Sequence, residues 1–241
     1  MDRFFDGKVV IITGGGRGIG AATAIQYAAL GAKTFIVSRT DDELMMVQKQ
    51  IKDNGGECEF MVADLKDVHA PQKIFEAAVA KYSKVDILVN NAAIILRKKL
   101  TEATLEDWQS TMDINVRALF FMCQQAFNHM KPKEGCSIVN ISSLSGVRFV
   151  DKFPGFSIYC ASKFAVTGLT EALAVEGREL GIRVNAVAPG AVNTKMLEDN
   201  APELEAEAYP EDIANMIVDL SDSDKSRIIT GSIVEIFSNA N

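Results

Sequence analysis

The chain is 241 residues long, a length that suits one large domain or two small ones. With 48% hydrophobic and 24% charged residues it has the balance of a soluble globular protein able to build a core. A net charge of −7, without any long basic run, speaks against nucleic acid or an anionic membrane surface as a partner.

The opening residues Met1 to Lys8 lack the apolar core of a signal peptide, and no apolar stretch approaches the roughly 20 residues that span a bilayer. The cysteines, Cys58, Cys123, Cys136 and Cys160, are scattered, and the only histidines are His69 and His129. No metal site is expected, and a reducing, cytoplasmic setting is the simplest one.

Lys8–Ile12 reads as a strand, followed by a glycine-rich turn and a helix through Leu30. Lys33–Ser38 is the next strand, then come a helix over Asp41–Asn54, a strand over Glu57–Val62, a helix over Asp67–Tyr82 and a strand over Val85–Val89. A long helix is expected from about Thr104 to Met130, then a strand over Ser137–Ile141 and a helix over Ser157–Leu180. Arg183–Ala188 is a strand, Pro210–Leu220 a helix and Ser232–Phe237 the last strand. Apolar strands alternating with helices call for a parallel sheet covered on both faces, with right-handed crossovers: a doubly wound α/β fold. No repeat or linker-like shift interrupts the pattern, so one domain over 1–241 is expected.

Between the first strand and the first helix lies Thr13-Gly14-Gly15-Gly16-Arg17-Gly18-Ile19-Gly20. Glycines there let backbone N–H groups approach a pyrophosphate at a helix N-terminus. Alone, such a loop is equally a plain turn; its place between strand and helix favours a nucleotide. The second strand ends Val37-Ser38-Arg39-Thr40, with no acid before Asp41. A carboxylate there would bind a ribose 2′-hydroxyl, whereas a guanidinium and hydroxyls suit a 2′-phosphate. NADP(H) is therefore expected rather than NAD(H), with Arg17 as a second positive charge.

Asn90-Asn91-Ala92-Ala93 closes the fourth strand and Asn140-Ile141-Ser142-Ser143 the fifth, while Tyr159-Cys160-Ala161-Ser162-Lys163 opens a helix. With the glycine loop, these residues closely resemble the short-chain dehydrogenase/reductase family, from Lys8 to about Gly231. The resemblance implies a Rossmann-type sheet of about seven strands and hydride transfer between a nicotinamide and a carbonyl or alcohol. It implies a catalytic set of Asn115, Ser143, Tyr159 and Lys163, with Ser143 orienting the carbonyl and Asn115 holding a water in a relay to Lys163. It also implies cofactor contacts from Gly14, Gly18, Ile19 and Gly20, from Asp64 and Leu65 at the adenine, and from Asn90, Asn91 and Ala92, with Asn90 also supporting the central sheet. Pro189, Gly190, Val192 and Thr194 resemble the residues that hold the carboxamide. Two long helices, near 104–130 and 157–180, resemble the family's dimer-forming pair, so a homodimer or homotetramer is expected.

The chemistry follows from residue types as well. Reducing a ketone needs a proton on oxygen as hydride reaches carbon. A phenol titrates near 10 when unperturbed, and a nearby ammonium favours its ionised form. Tyr159 and Lys163 are four residues apart, so one helical face presents both.

Three departures from the family bear on substrate and assembly. The stretch from Gly146 to Tyr159 is longer than in many members and carries Phe149, Phe153 and Phe156. These rings either wall an apolar substrate pocket or pack elsewhere. The lid, about 191–210, is short and acidic, with Glu198, Asp199, Glu203, Glu205 and Glu207 against Lys195; the turn Arg97-Lys98-Lys99 offsets it or is merely solvated. The chain closes through Phe237 to Asn241 without the double glycine and tail of many members, which makes a tetramer less secure than a dimer. A carbonyl reductase or alcohol dehydrogenase acting on a neutral, apolar small molecule is the leading reading. A 3-oxoacyl-acyl-carrier-protein reductase is the alternative within the class, disfavoured by Leu180 before Gly181 and by the acidic lid. A non-catalytic NADP(H)-sensing regulator is the alternative outside it.

Overall fold

Val9–Thr13 forms β1 with all five residues buried, and its side chains alternate between two cores. In the computed structural model, which describes residues 4–130 and 135–238, Val10 and Ile12 enter one apolar cluster while Ile11 enters the other. That period of two, with both faces apolar, is what a strand sandwiched between helix layers requires. Met1–Arg3 and Asn239–Asn241, which enter the expectations on the two termini, lie outside the described residues.

Six further strands join β1: β2 (Lys33–Ser38), β3 (Glu57–Val62), β4 (Ile87–Asn90), β5 (Cys136–Ile141), β6 (Ile182–Pro189) and β7 (Ile233–Ile236). They form one seven-stranded sheet in the order β3-β2-β1-β4-β5-β6-β7, every pairing parallel. The fold is thus the doubly wound α/β sheet expected from the sequence. Chain order reverses between β1 and β4, so a crevice opens there at the carboxyl ends of the strands.

On one face lie α1 (Gly18–Ala29), α2 (Asp41–Asp53) and α8 (Pro210–Ser221). Tyr27 of α1 donates to Ser221 Oγ at 2.7 Å beneath them, so the largest buried ring on that face has its hydroxyl satisfied. The other face carries α3 (Ala70–Tyr82), α5 (Leu119–His129) and α6 (Ser157–Gly177), with α4 (Leu105–Met112) leading into α5. α3 starts later than expected because Asp67 Oδ1 accepts from His69 N in a turn, and Pro71 fits the first helical turn.

The expected unbroken helix from about Thr104 to Met130 is not one α-helix. It begins as foreseen on a Thr104–Asp107 capping box, but Asp113–Ala118 widens into a π-helical turn between α4 and α5. The cause is Asn115. Its side chain accepts from Ile94 N and donates to Ile94 O, both at 2.9 Å, anchoring the helix to the segment beyond β4.

A second correction concerns apolar runs. Ser157–Leu180 reaches a mean hydropathy of 1.2, long and apolar enough for a bilayer by composition alone. In the fold, α6 buries the stripe Tyr159, Ser162, Lys163, Val166, Thr170 and Leu173, at helical spacing. Its last turn tightens over Arg178–Leu180 and stops at Gly181, whose φ is +67°.

Candidate active site

The crevice encloses about 280 Å³ and runs from the glycine loop to the N-terminal turns of α6. At the loop end, Gly14 has φ of +67°, and a Cβ on it would lie 2.8 Å from Asn91 Nδ2 and 3.0 Å from Ala92 Cα. Only glycine fits such a conformation in such a space. Asn91 Nδ2 donates to the carbonyls of Thr13 and Gly14, while Asn91 N and Ala92 N both donate to Thr13 Oγ1 at 3.1 Å. The ends of β1 and β4 are thereby tied at the reversal point.

Helix α1 begins from that loop. Arg17 occupies its N-cap without a side-chain cap, and no acid lies in its first turn. Gly18 and Ile19 line the crevice, so a helix N-terminus with the polarity an anion needs is presented to it. Gly20 plays another part than contact: a Cβ there would lie 2.1 Å from Gly14 O, so its bareness lets α1 sit on the loop. Beyond β2, Ser38, Arg39 and Thr40 line the same end, and Ser38 Oγ accepts from Thr40 N at 3.3 Å. Asp64 and Leu65 line it as well, Asp64 Oδ1 also closing a turn onto Lys66 N at 2.9 Å. Farther along, Pro189, Gly190, Val192 and Thr194 form the rim. Thr194 caps α7 (Lys195–Asn200), accepting from Leu197 N at 3.3 Å and donating to Val192 O at 3.1 Å.

Asn90 takes the sheet-supporting part of its expected role. It is buried, and its Nδ2 donates to Asn140 Oδ1 at 2.9 Å and to Cys123 Sγ at 3.2 Å. Asn140 passes the chain on to Thr170 Oγ1 at 2.9 Å. Asn90 thus supports the sheet, while Asn91 and Ala92 line the crevice.

At the far end Ser143, Tyr159 and Lys163 converge on the crevice. Gly146 explains how: a Cβ there would lie 2.5 Å from the backbone C and O of Lys163, so the turn carrying Ser143 rests directly on α6. The structure separates the neighbouring serines. Ser142 turns inward and donates to Lys163 O at 3.1 Å, whereas Ser143 lines the crevice with Tyr159 and accepts from Ser145 N at 3.1 Å. Lys163 Nζ donates to Ile141 O at 2.8 Å and lies 5.6 Å from the Tyr159 ring centre.

The titration of the pair differs from the sequence-based expectation. Burial pushes the phenol up to about 12, against the opposing influence of the nearby Ser143 hydroxyl, and pushes the Lys163 ammonium down to about 8. The phenol is therefore held protonated at neutral pH.

None of the three phenylalanines lines the crevice, and only Phe156 packs against Tyr159. It is buried with its ring centre 6.2 Å from that of Tyr159, and Phe153 packs edge-on against it at 6.5 Å. Phe149 is fully exposed with φ of +61°. Phe156 and Tyr159 form a small apolar cluster with Ala201, to which Ile95, Leu197 and Leu204 add. Sequence reasoning missed these last residues, since only the folded lid brings Leu197 and Leu204 over Tyr159. Nor is the basic turn merely solvated. Arg97 stacks on Phe156 at 5.4 Å and pairs with Glu203 of the lid, and Lys98 pairs with Asp107 at 2.7 Å.

The short chain dehydrogenase family model matches residues 8–205. The chain belongs to the short chain dehydrogenase family. Like the family, it is an oxidoreductase of alcohol and carbonyl groups that uses a nicotinamide cofactor. Two curated members are similar to it. A 3beta-hydroxysteroid dehydrogenase of Mediterraneibacter gnavus is 37% identical over 83% of this chain and 71% of its own length. The 3-oxoacyl-[acyl-carrier-protein] reductase FabG of Thermotoga maritima is 34% identical over 96% of each chain. Among solved members, a short chain dehydrogenase from Burkholderia cenocepacia in complex with NADP superposes with a TM-score of 0.88. It is 33% identical, covering 96% of this chain and 97% of that one.

Proposed function

We propose that this family member reduces a neutral, largely apolar carbonyl compound, or oxidises the matching alcohol, with NADP(H) as its cofactor. The observation that carries the reading is the convergence of Ser143, Tyr159 and Lys163 on a crevice whose other end holds Arg17, Ser38, Arg39 and Thr40. Two guanidiniums and two hydroxyls suit a 2′-phosphate, and the bare Gly14 leaves backbone room for the pyrophosphate. Bound there, the nicotinamide supplies or accepts the hydride.

The rest falls to the chain. Tyr159, held protonated, donates its proton to the carbonyl oxygen, and Ser143 holds that oxygen with a second hydrogen bond. Lys163 contributes positive charge below about pH 8 and reaches the ribose. Asn115 acts as a positioning residue, because its bonds to Ile94 fix the segment that follows Ala92 and Ala93 in the crevice wall. Ile94, Ile95, Met196 and Leu197 in the crevice wall suit a hydrophobic substrate, whose burial is favoured at roughly 25 cal/mol per Å². Exposed Phe120, Phe121 and Phe164 on α5 and α6 favour a homodimer through those helices, or a homotetramer built from it, in the cytoplasm.

One observation favours a second reading. The Thermotoga maritima reductase aligns over nearly the full length of both chains, which suits a 3-oxoacyl thioester as substrate. Leu180 and the acidic lid offer little to an acidic carrier.

The test is NADPH oxidation followed by absorbance with a bulky aryl ketone, a sugar, a short oxo-acid and a 3-oxoacyl thioester. The aryl ketone should give the highest kcat/KM. A winning oxo-acid whose rate falls with added salt would sink the apolar-substrate reading, and a winning thioester would establish the second one.

A further inference from the structure

Glu43 brings a carboxylate to a place where the strand end alone offers none. It belongs to the first turn of α2, after Asp41 and Asp42, yet it lines the cofactor crevice with Gly16, Arg17 and Ser38. Its Oε1 pairs with Arg17 Nη1 at 3.4 Å. A Cβ on Gly16 would lie 3.0 Å from Glu43 Cβ, 3.0 Å from Ser38 Oγ and 3.3 Å from Glu43 Oε2. The bare Gly16 is therefore what admits Glu43 so close to the group that would hold a 2′-phosphate. The helix does not need this acid, because exposed Asp41 and Asp42 already complement the N-terminal dipole of α2.

A 2′-phosphate on Arg17, Ser38, Arg39 and Thr40 would meet the Glu43 carboxylate at short range, where salt screens little within about 8 Å. The same carboxylate occupies one of the two guanidiniums on which the phosphate depends. We propose that Glu43 is a specificity-determining residue acting against the 2′-phosphate, which must displace it from Arg17 and tolerate its charge. The ratio of NADP(H) to NAD(H) affinity is thereby held below what Arg17 and Arg39 would give unopposed. This rests on the NADP(H) reading above, and it makes Glu43 the position through which that preference is tuned.

Calorimetric titration of NADPH and NADH into the wild type, Glu43→Gln, Arg17→Met and the double variant tests it. Glutamine keeps the size and hydrogen-bonding capacity of the side chain at a partly exposed position, and thermal melts should overlay the wild type. Glu43→Gln should tighten NADPH about 3- to 5-fold and leave NADH within about twofold, the upper scale of one exposed charge contact. In the Arg17→Met background the gain should shrink to about twofold or less, since the contested guanidinium is gone. An unchanged NADPH affinity in Glu43→Gln, an equal gain for both nucleotides, or a gain undiminished without Arg17 overturns the proposal. Tighter NADH than NADPH binding by the wild type would instead overturn the NADP(H) reading, and the Glu43→Gln comparison for NADPH would still judge Glu43.

Discussion

Tyr159 and Lys163 lie one turn apart on the buried face of α6, with Nζ 5.6 Å from the ring centre, and burial moves their titrations in opposite directions. The phenol rises to about 12 and the ammonium falls to about 8, so at neutral pH the acid is fully loaded and the cation only just so.

Tyr159→Phe removes the proton donor and keeps the ring that packs against Phe156. Turnover should fall about 10²- to 10⁴-fold, the usual worth of a positioned acid, with NADPH affinity changed less than about threefold. Stopped-flow turnover and fluorescence titration measure the two. A variant that kept a tenth of the wild-type rate would remove Tyr159 from the chemistry.

The Lys163 ammonium should show itself in pH dependence. In the free protein the cation is lost as pH rises through about 8, so kcat/KM for NADPH should decline above that value. The linked stability has the opposite slope. Between about 8 and the ordinary 10.5, an unfolded chain binds a proton at this lysine that the folded chain does not, so its contribution to stability rises with pH. Lys163→Met should accordingly stabilise the free protein by roughly 2–3 kcal/mol at pH 7, with the gain fading towards pH 10. Urea melts at the two pH values check the sign.

Asn140→Ala tests the polar chain beneath the crevice. It would remove the two 2.9 Å bonds that Asn140 makes to Asn90 Nδ2 and Thr170 Oγ1 inside the core, leaving the first with Cys123 Sγ and the second with Val166 O. The loss should be about 2–4 kcal/mol, read as a lower Tm, with NADPH affinity little changed. A matching loss of affinity at full stability would return Asn90 to the cofactor site.

Gly146→Ala should be costly although the change is one methyl. Its Cβ would lie 2.5 Å from the Lys163 backbone, so the Ser143 turn must lift off α6. We expect about 1–3 kcal/mol of destabilisation, with kcat down at least tenfold because Ser143 leaves Tyr159. An active, stable alanine variant would show that the turn can shift without consequence.

The parallel sheet was readable because strands such as β1 and β5 carry no charge and put apolar residues on both faces, and only a two-sided sheet consumes such strands. Ser143, Tyr159 and Lys163 could be named because their motifs resemble those of the family, and the four-residue spacing of Tyr159 and Lys163 sets both on one helix face. What the sequence concealed depended on contacts between distant segments. The break at Asn115 comes from Ile94, a residue outside the helix, and helical periodicity carries no trace of it. Glu43 reads as an ordinary first-turn acid until α2 docks beside Gly16. Phe149, Phe153 and Phe156 are alike as letters; the loop's path alone decides that one is buried and one faces solvent. Asn90 and Asn91 are likewise adjacent, and strand alternation sends one into the sheet and the other to the crevice.

The widened turn at Asp113–Ala118 also constrains how this region can vary in length. One additional residue in a turn rotates everything after it by about 100° relative to an uninterrupted α-helix. The buried face of α5, with Leu119, Met122, Cys123 and Ala126, is set by that rotation, as is the seat of Asn115 against Ile94. Closing this turn into a regular helix at unchanged length would swing the α5 core residues away from the sheet, whereas closing it with one residue deleted would leave them facing it. The widened turn and the length of this stretch therefore go together, and the seat of Asn115 on Ile94, more than the α5 face, is what a one-residue deletion would put at stake.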